Sequence, residues 1–308
     1  MNQTSPLPES IGRLVAARPL RQLARDIAEH RAATASGLWG SSLAAVTAAI
    51  EAELHRPILV VCGHVDEADD LADDLELFHG RRPEVVPALE LNAGLGRVSE
   101  ELVAGRMQLI TKLMAESSTA DVPPRLLVCP IQALMQSVPS RQQIGELILT
   151  LKPGQQLDSQ KLIVWLSEHG YNRLEQVEVP GDFAVRGGII DVYLPGEFAE
   201  AGDQIGLTVR VDFFDDQIES INTFDLAGLG SQGKLSSVQL VDLKGKLPES
   251  SGSTHWLTHL SPQTVVVLWA PMEIAEQARS YLDRLPEVKG IYPLAAVLKM
   301  PSRLPVWS

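Results

Sequence analysis

The chain has 308 residues, 45% hydrophobic and 21% charged, with a formal net charge of −13. That length supports two or three units of about 100–200 residues each, and no apolar run approaches the ~20 residues that cross a bilayer. The acidic balance opposes a role that rests on phosphate backbones, where Lys and Arg must replace released counterions, though it leaves room for a local basic patch.

The opening MNQTSPLPESIGRL lacks a basic stretch followed by an apolar one, so the expected location is cytoplasmic. Ile11, Leu14, Val15 and Leu20 suggest an opening helix, followed by a Gly/Ser turn at 36–42. Leu43, Val46, Ile50 and Leu54 recur at spacings of three and four, which predicts an amphipathic helix. PILVVCG (57–63) is a continuous apolar run of strand length, the pattern of a strand buried on both faces. Residues 66–78 predict an acidic helix, with Leu71, Leu75 and Phe78 inward and Asp66, Asp69, Asp70, Asp73 and Asp74 on a solvated face. Leu102, Met107, Leu109 and Leu113 predict a helix over 97–116, and RLLVCP (125–130) a second buried strand. Such alternation implies a parallel sheet covered by helices.

The pattern changes after about residue 137. KLIVWLSEHGY (161–171) predicts a helix stopped by Gly170. Short strands follow: DFAVRGGIIDVYLPG, LTVRVDFF and QIESINTFD. In the second, Leu207, Val209, Val211 and Phe213 alternate with Thr208, Arg210 and Asp212, as in a half-buried strand. Residues 227–237 and 247–254 are expected to be loops, TVVVLWA (264–270) a third buried strand, and Ile274, Ala278, Tyr281, Leu282 and Leu285 a helical face. This last part is expected to return to the first sheet. The final PSRLPVWS closes no domain of its own, so a truncated chain is expected.

Cys62 and Cys129 sit in apolar runs and are expected to be buried thiols. His255 and His259 could share a helical face, but no third ligand is near in sequence, so no metal is expected.

Four blocks carry a resemblance: GYNR (170–173), GDFAVRGGIIDVY (181–193), RVDFFDDQIES (210–220) and TFD (223–225). In order and spacing they resemble blocks shared by UvrB and the bacterial transcription-repair coupling factors (Mfd). VCPIQALMQ (128–136) resembles the strand and helix start that precede this unit in coupling factors. Beyond about residue 245 the likeness weakens.

UvrB-type domains carry a P-loop, G-x-x-x-x-G-K-S/T, whose backbone amides cradle phosphates, whose Lys reaches the β/γ-phosphates and whose hydroxyl holds Mg²⁺. At the equivalent place this chain has Gly37, Leu38, Trp39, Gly40, Ser41, Ser42, Leu43 and Ala44. Ser42 replaces the glycine before the lysine, Leu43 the lysine and Ala44 the hydroxyl. The candidate strand for the second, acidic half of the site, TVVVLWA, has no carboxylate before Glu273. An ordinary Gly/Ser turn is the alternative reading of this loop; either way the chemistry is missing. The segment between Leu91 and Arg106 is also too short and poor in aromatics for UvrB's DNA-clamping hairpin.

The resemblance implies an α/β fold: a degenerate P-loop, RecA-like parallel sheet with an inserted small α+β domain. It implies domain 1a at 1–136, domain 2 at 137–226 and domain 1b at 227–308. It implies docking to UvrA through domain 2, with Arg173, Phe183 and Arg186 at the matching positions and Ala184 where UvrB has a further arginine. Phe183 is equally readable as core. The Gly187-Gly188 pair is read as a bulge or a close-packing site. No cofactor and no catalytic residue are expected, and DNA binding should be weak or none. RNA polymerase contact and ATP-dependent DNA translocation belong, by family, to domains downstream; family analogy also offers a third reading, autoregulation, in which the parent's own C-terminal part masks domain 2. A divergent UvrB-like ATP-dependent repair helicase is the alternative.

Overall fold

The computed structural model describes residues 9–29, 33–89, 99–116, 125–196, 206–226, 231–244, 253–286, 288–299 and 306–307. The chain divides into two compact units: residues up to Ala88, Lys112–Val138 and the chain from Pro248; and Leu89–Thr111 with Pro139–Leu247. Of the segment between Leu91 and Arg106, residues 91–98 lie outside the described residues.

The first unit is built on a parallel sheet. Its order is Val306–Trp307, Val265–Leu268, Ile58–Cys62, Leu126–Pro130, Glu84–Val85. All five residues of Ile58–Cys62 are buried, as a run of β-branched and apolar side chains flanked by Pro57 and Gly63 requires. Alternate residues Ile58, Val60 and Cys62 share a core with Leu43, Ala48 and Ile50 of helix Ser42–Leu54 and with Leu71 and Leu75 of helix Val65–His79. Fully burying a Leu or Ile contributes about 1.5–3 kcal/mol, so this layer carries much of the unit's stability. Glu67 in the first turn of helix Val65–His79 accepts from the backbone N–H of His64, and Gly80 ends the helix at φ 79°. On its outer face Asp69 and Asp73 are exposed and pair with Arg82. Both cysteines are buried thiols outside any disulfide.

The second unit is centred on a six-stranded sheet, in the order Ser231–Lys234, Gln217–Phe224, Leu207–Phe214, Ile189–Leu194, Asp182–Arg186, Asn172–Leu174. The neighbours are antiparallel except the last pair, which is parallel. A separate ribbon pairs Ile148–Leu151 with Val238–Val241. Helix Ser159–Glu168 is capped by the Asp158 carboxylate, which accepts from Gln160 N–H, and buries Leu162, Ile163 and Leu166. Gly170 follows at φ 91°, where a Cβ would stand 3.2 Å from the Leu243 backbone. Both the left-handed turn and the close approach exclude a side chain there. Residues 231–234, expected as loop, form a strand: SQGK has no apolar alternation, and its extended state comes from backbone pairing with Gln217–Phe224.

The molecule is therefore a mixed α/β protein with one parallel sheet and additional sheets. Among the described residues no helix is long and apolar enough to cross a membrane.

Candidate functional site

The Asp182–Arg186 strand organises the site. Arg186 is exposed at its end, and Gly187-Gly188 turn the chain into Ile189–Leu194 with Arg186 opposite Ile189. Gly187 has φ 59°, which suits the first position of a two-residue hairpin turn. Gly188 packs closely instead: a Cβ there would lie 2.9 Å from the Phe213 carbonyl oxygen.

Arg173 lies on the edge strand Asn172–Leu174, whose three residues are all exposed, in register with Phe183. Phe183 itself is fully buried. Strand pleating puts Asp182, Ala184 and Arg186 on the face opposite to Phe183. The two arginines thus stand on the edge strand and the strand beside it, on differing faces.

The crossover loop between these parallel strands is tied to the sheet. The Asp182 carboxylate accepts from Glu178 N–H at 3.1 Å and Val179 N–H at 2.9 Å. Arg186 Nη2 donates to the Glu175 carbonyl at 3.2 Å. Val177 is buried between them with Ala184, Tyr193 and Phe224.

A third arginine gives the contrast. Arg210 donates to both oxygens of buried Asp191, at 2.7 and 2.8 Å, and stacks 4.9 Å from the centre of the Phe224 ring. The Asp191 bond holds its pKa above the ordinary value. Asp212 is likewise engaged, accepting from Ser220 and Asn222. Among the described residues no carboxylate pairs with Arg173 or Arg186, so both guanidiniums remain able to meet an external one.

In the first unit, the loop read as a degenerate nucleotide site precedes helix Ser42–Leu54. Gly37 and Gly40 have positive φ, Trp39 is 84% exposed, and Trp39 N–H donates to the Ser42 hydroxyl. Ser41 precedes the first helical turn without capping it. Leu43 and Ala44 are buried in the helix core, so neither side chain reaches out of that turn. The loops leaving the two adjacent strands are also occupied. Glu67 accepts from Gly63 N–H and from the Trp269 indole at 2.7 Å, and His64 Nε2 lies 3.2 Å from Glu273. His255 and His259 are both buried and flank a single 3-10 turn, with His255 Nδ1 accepting from Leu257 N–H. No metal-binding group of three or more His, Cys, Asp or Glu occurs among the described residues.

Asp182 had no role assigned from sequence beyond its place in the GDF block. Its signal is the PGD turn, where an Asp side chain commonly accepts from neighbouring backbone.

Residues 149–244 match the UvrB interaction domain. This interaction domain includes the six-stranded sheet described above. The chain is also similar to several transcription-repair-coupling factors. It is 29% identical to that of Bacillus subtilis (strain 168) over 208 residues, 67% of this chain and 16% of the relative. It is 26% identical to that of Escherichia coli (strain K12) over 207 residues, 67% of this chain and 17% of the relative. With that of Mycobacterium tuberculosis (strain CDC 1551 / Oshkosh) the identity is 33% over 180 residues, 56% of this chain and 13% of the relative. The chain therefore spans less than a fifth of the length of these curated relatives.

Proposed function

We propose that this chain is a docking module that binds UvrA through Arg173 and Arg186 and so brings excision repair to a stalled RNA polymerase. The observation that carries the reading is the pair of exposed guanidiniums on the edge strand and the strand beside it, without a carboxylate of their own among the described residues, in contrast to an Arg210 already committed to Asp191. Arg presents a planar fork to carboxylates and often anchors interfaces. Phe183, being buried, serves this reading from inside by fixing the strand that carries Arg186. Binding of purified UvrA to wild type and to the Arg173→Ala/Arg186→Ala double variant tests it.

In the same reading the first unit is a RecA-like sheet whose nucleotide site has decayed. Buried Leu43 and Ala44 stand where a lysine and a hydroxyl would be needed. The first unit carries most of domains 1a and 1b and the second carries domain 2, together with residues 89–111 and 227–247 of the stretches assigned to domain 1. The module acts in the cytoplasm, without ATP hydrolysis of its own and with little affinity for DNA. Polymerase contact and translocation fall to other parts of the longer protein.

A further inference from the structure

We propose that the crossover loop 175–181, with Leu174 before it, forms the apolar half of this docking surface, that Leu174 and Val179 are its anchors, and that Asp182 positions them. The inference rests on the reading of the arginines given above.

The loop returns the chain from the end of Asn172–Leu174 to the start of the parallel strand Asp182–Arg186. Side chains of that one strand hold it at both ends. Asp182 takes the N–H groups of Glu178 and Val179, and Arg186 takes the carbonyl of Glu175. The two residues are four apart, so the pleat sets both on the same sheet face. Buried Val177 plugs the middle of the loop onto that face. Asp182 N–H and Gly181 N–H are also satisfied, by the Val179 and Tyr193 carbonyls. A loop fixed at this many points loses little freedom on binding, which favours affinity.

What this held loop presents outward is apolar. Val179 is 57% exposed and Leu174 44% exposed, although buried apolar positions such as Val177 lie within a few residues. Leu174 stands in register with Ala184 and so shares the Arg186 face. The exposed carboxylates of Glu175 and Glu178 flank the apolar pair. The matching partner face is an apolar patch with carboxylates placed to meet Arg173 and Arg186; a uniformly acidic face would clash with Glu175 and Glu178. Asp182 is a positioning residue, since it acts by holding Val179 rather than by touching the partner.

The test measures UvrA binding to the 308-residue chain by interferometry, with melting followed in parallel. Leu174→Ala/Val179→Ala should weaken binding about tenfold or more, with melting nearly unchanged because both side chains are exposed. Unchanged affinity overturns the proposal. Asp182→Ala and Val179→Ala are then combined in a double-mutant cycle. If Asp182 acts through Val179, the pair loses scarcely more than Asp182→Ala alone; strictly additive losses overturn the positioning role. Asp182→Asn, which keeps an acceptor oxygen, should recover most of the affinity and guards against a folding defect. The arginine double variant separates the two levels. Normal UvrA binding by that variant defeats the docking reading itself; its loss together with undiminished binding by the Leu174/Val179 variant defeats only the present inference.

Discussion

Three arginines of the six-stranded sheet differ in what they already hold. Arg210 is mostly buried and locked to both oxygens of Asp191, itself 4% exposed. Arg210→Ala would leave that carboxylate uncompensated at a cost of about 3 kcal/mol, read as a drop in the denaturation midpoint. Arg210→Lys should recover only part of the loss, because an ammonium cannot make the two-pronged contact. Among the described residues Arg186 has the Glu175 carbonyl alone to release, so its substitution should act on binding more than on the fold, and Arg186→Glu should bind more weakly than Arg186→Ala by setting like charges together. Cys62 shows burial acting on a titration. Removal from water, reinforced by the Glu67 carboxylate, pushes its thiol from 9.0 up to about 12. The unfolded chain would release this proton near 9.0 while the fold keeps it to about 12, so the unfolded state binds fewer protons across that window. This contribution to stability is complete below the lower value and is lost as pH rises through the window. Thiol labelling at pH 8 should accordingly find Cys62 unreactive until the chain is unfolded.

The elements whose sequence was most readable are those whose state is set by burial. Ile58–Cys62 and Val265–Leu268 are runs of apolar residues that only a covered strand accommodates, and helix Val65–His79 carries its own stop in Gly80. Ser231–Lys234 was unreadable because a neighbouring backbone, not its own side chains, keeps it extended. The Asp182 staple was hidden for a related reason: it depends on a loop folding back onto the strand that follows it. The two arginines could be singled out by resemblance, but their differing faces follow from the parallel register of Arg173 with Phe183, which no local pattern encodes. Helix Ser42–Leu54 sharpens the case against nucleotide chemistry. With Leu43 4% exposed, Leu43→Lys would bury a charge among Ala48, Ile50 and the central strand. The expected outcome is destabilisation by ~3 kcal/mol or more, and calorimetry of Leu43→Lys/Ala44→Thr with Mg-ATP should show no saturable binding. A micromolar isotherm would mean that the loop keeps a working cradle.

On the scale of the whole molecule, a net charge of −13 opposes long-range attraction to nucleic acid while leaving local cations free to act. A gel shift at physiological salt should show little retardation of duplex or single-stranded DNA; tight, salt-resistant binding would favour the helicase alternative. The central claim is that the edge of the interaction domain carrying Arg173 and Arg186 docks UvrA, and the most direct measurement is the affinity of purified UvrA for the folded Arg173→Ala/Arg186→Ala variant beside wild type. Interfacial arginines that act as hot spots cost ~2 kcal/mol or more each when truncated, so the account predicts a loss well over tenfold with circular dichroism and melting nearly unchanged. Undiminished UvrA binding by the folded double variant would contradict it and place the interface elsewhere.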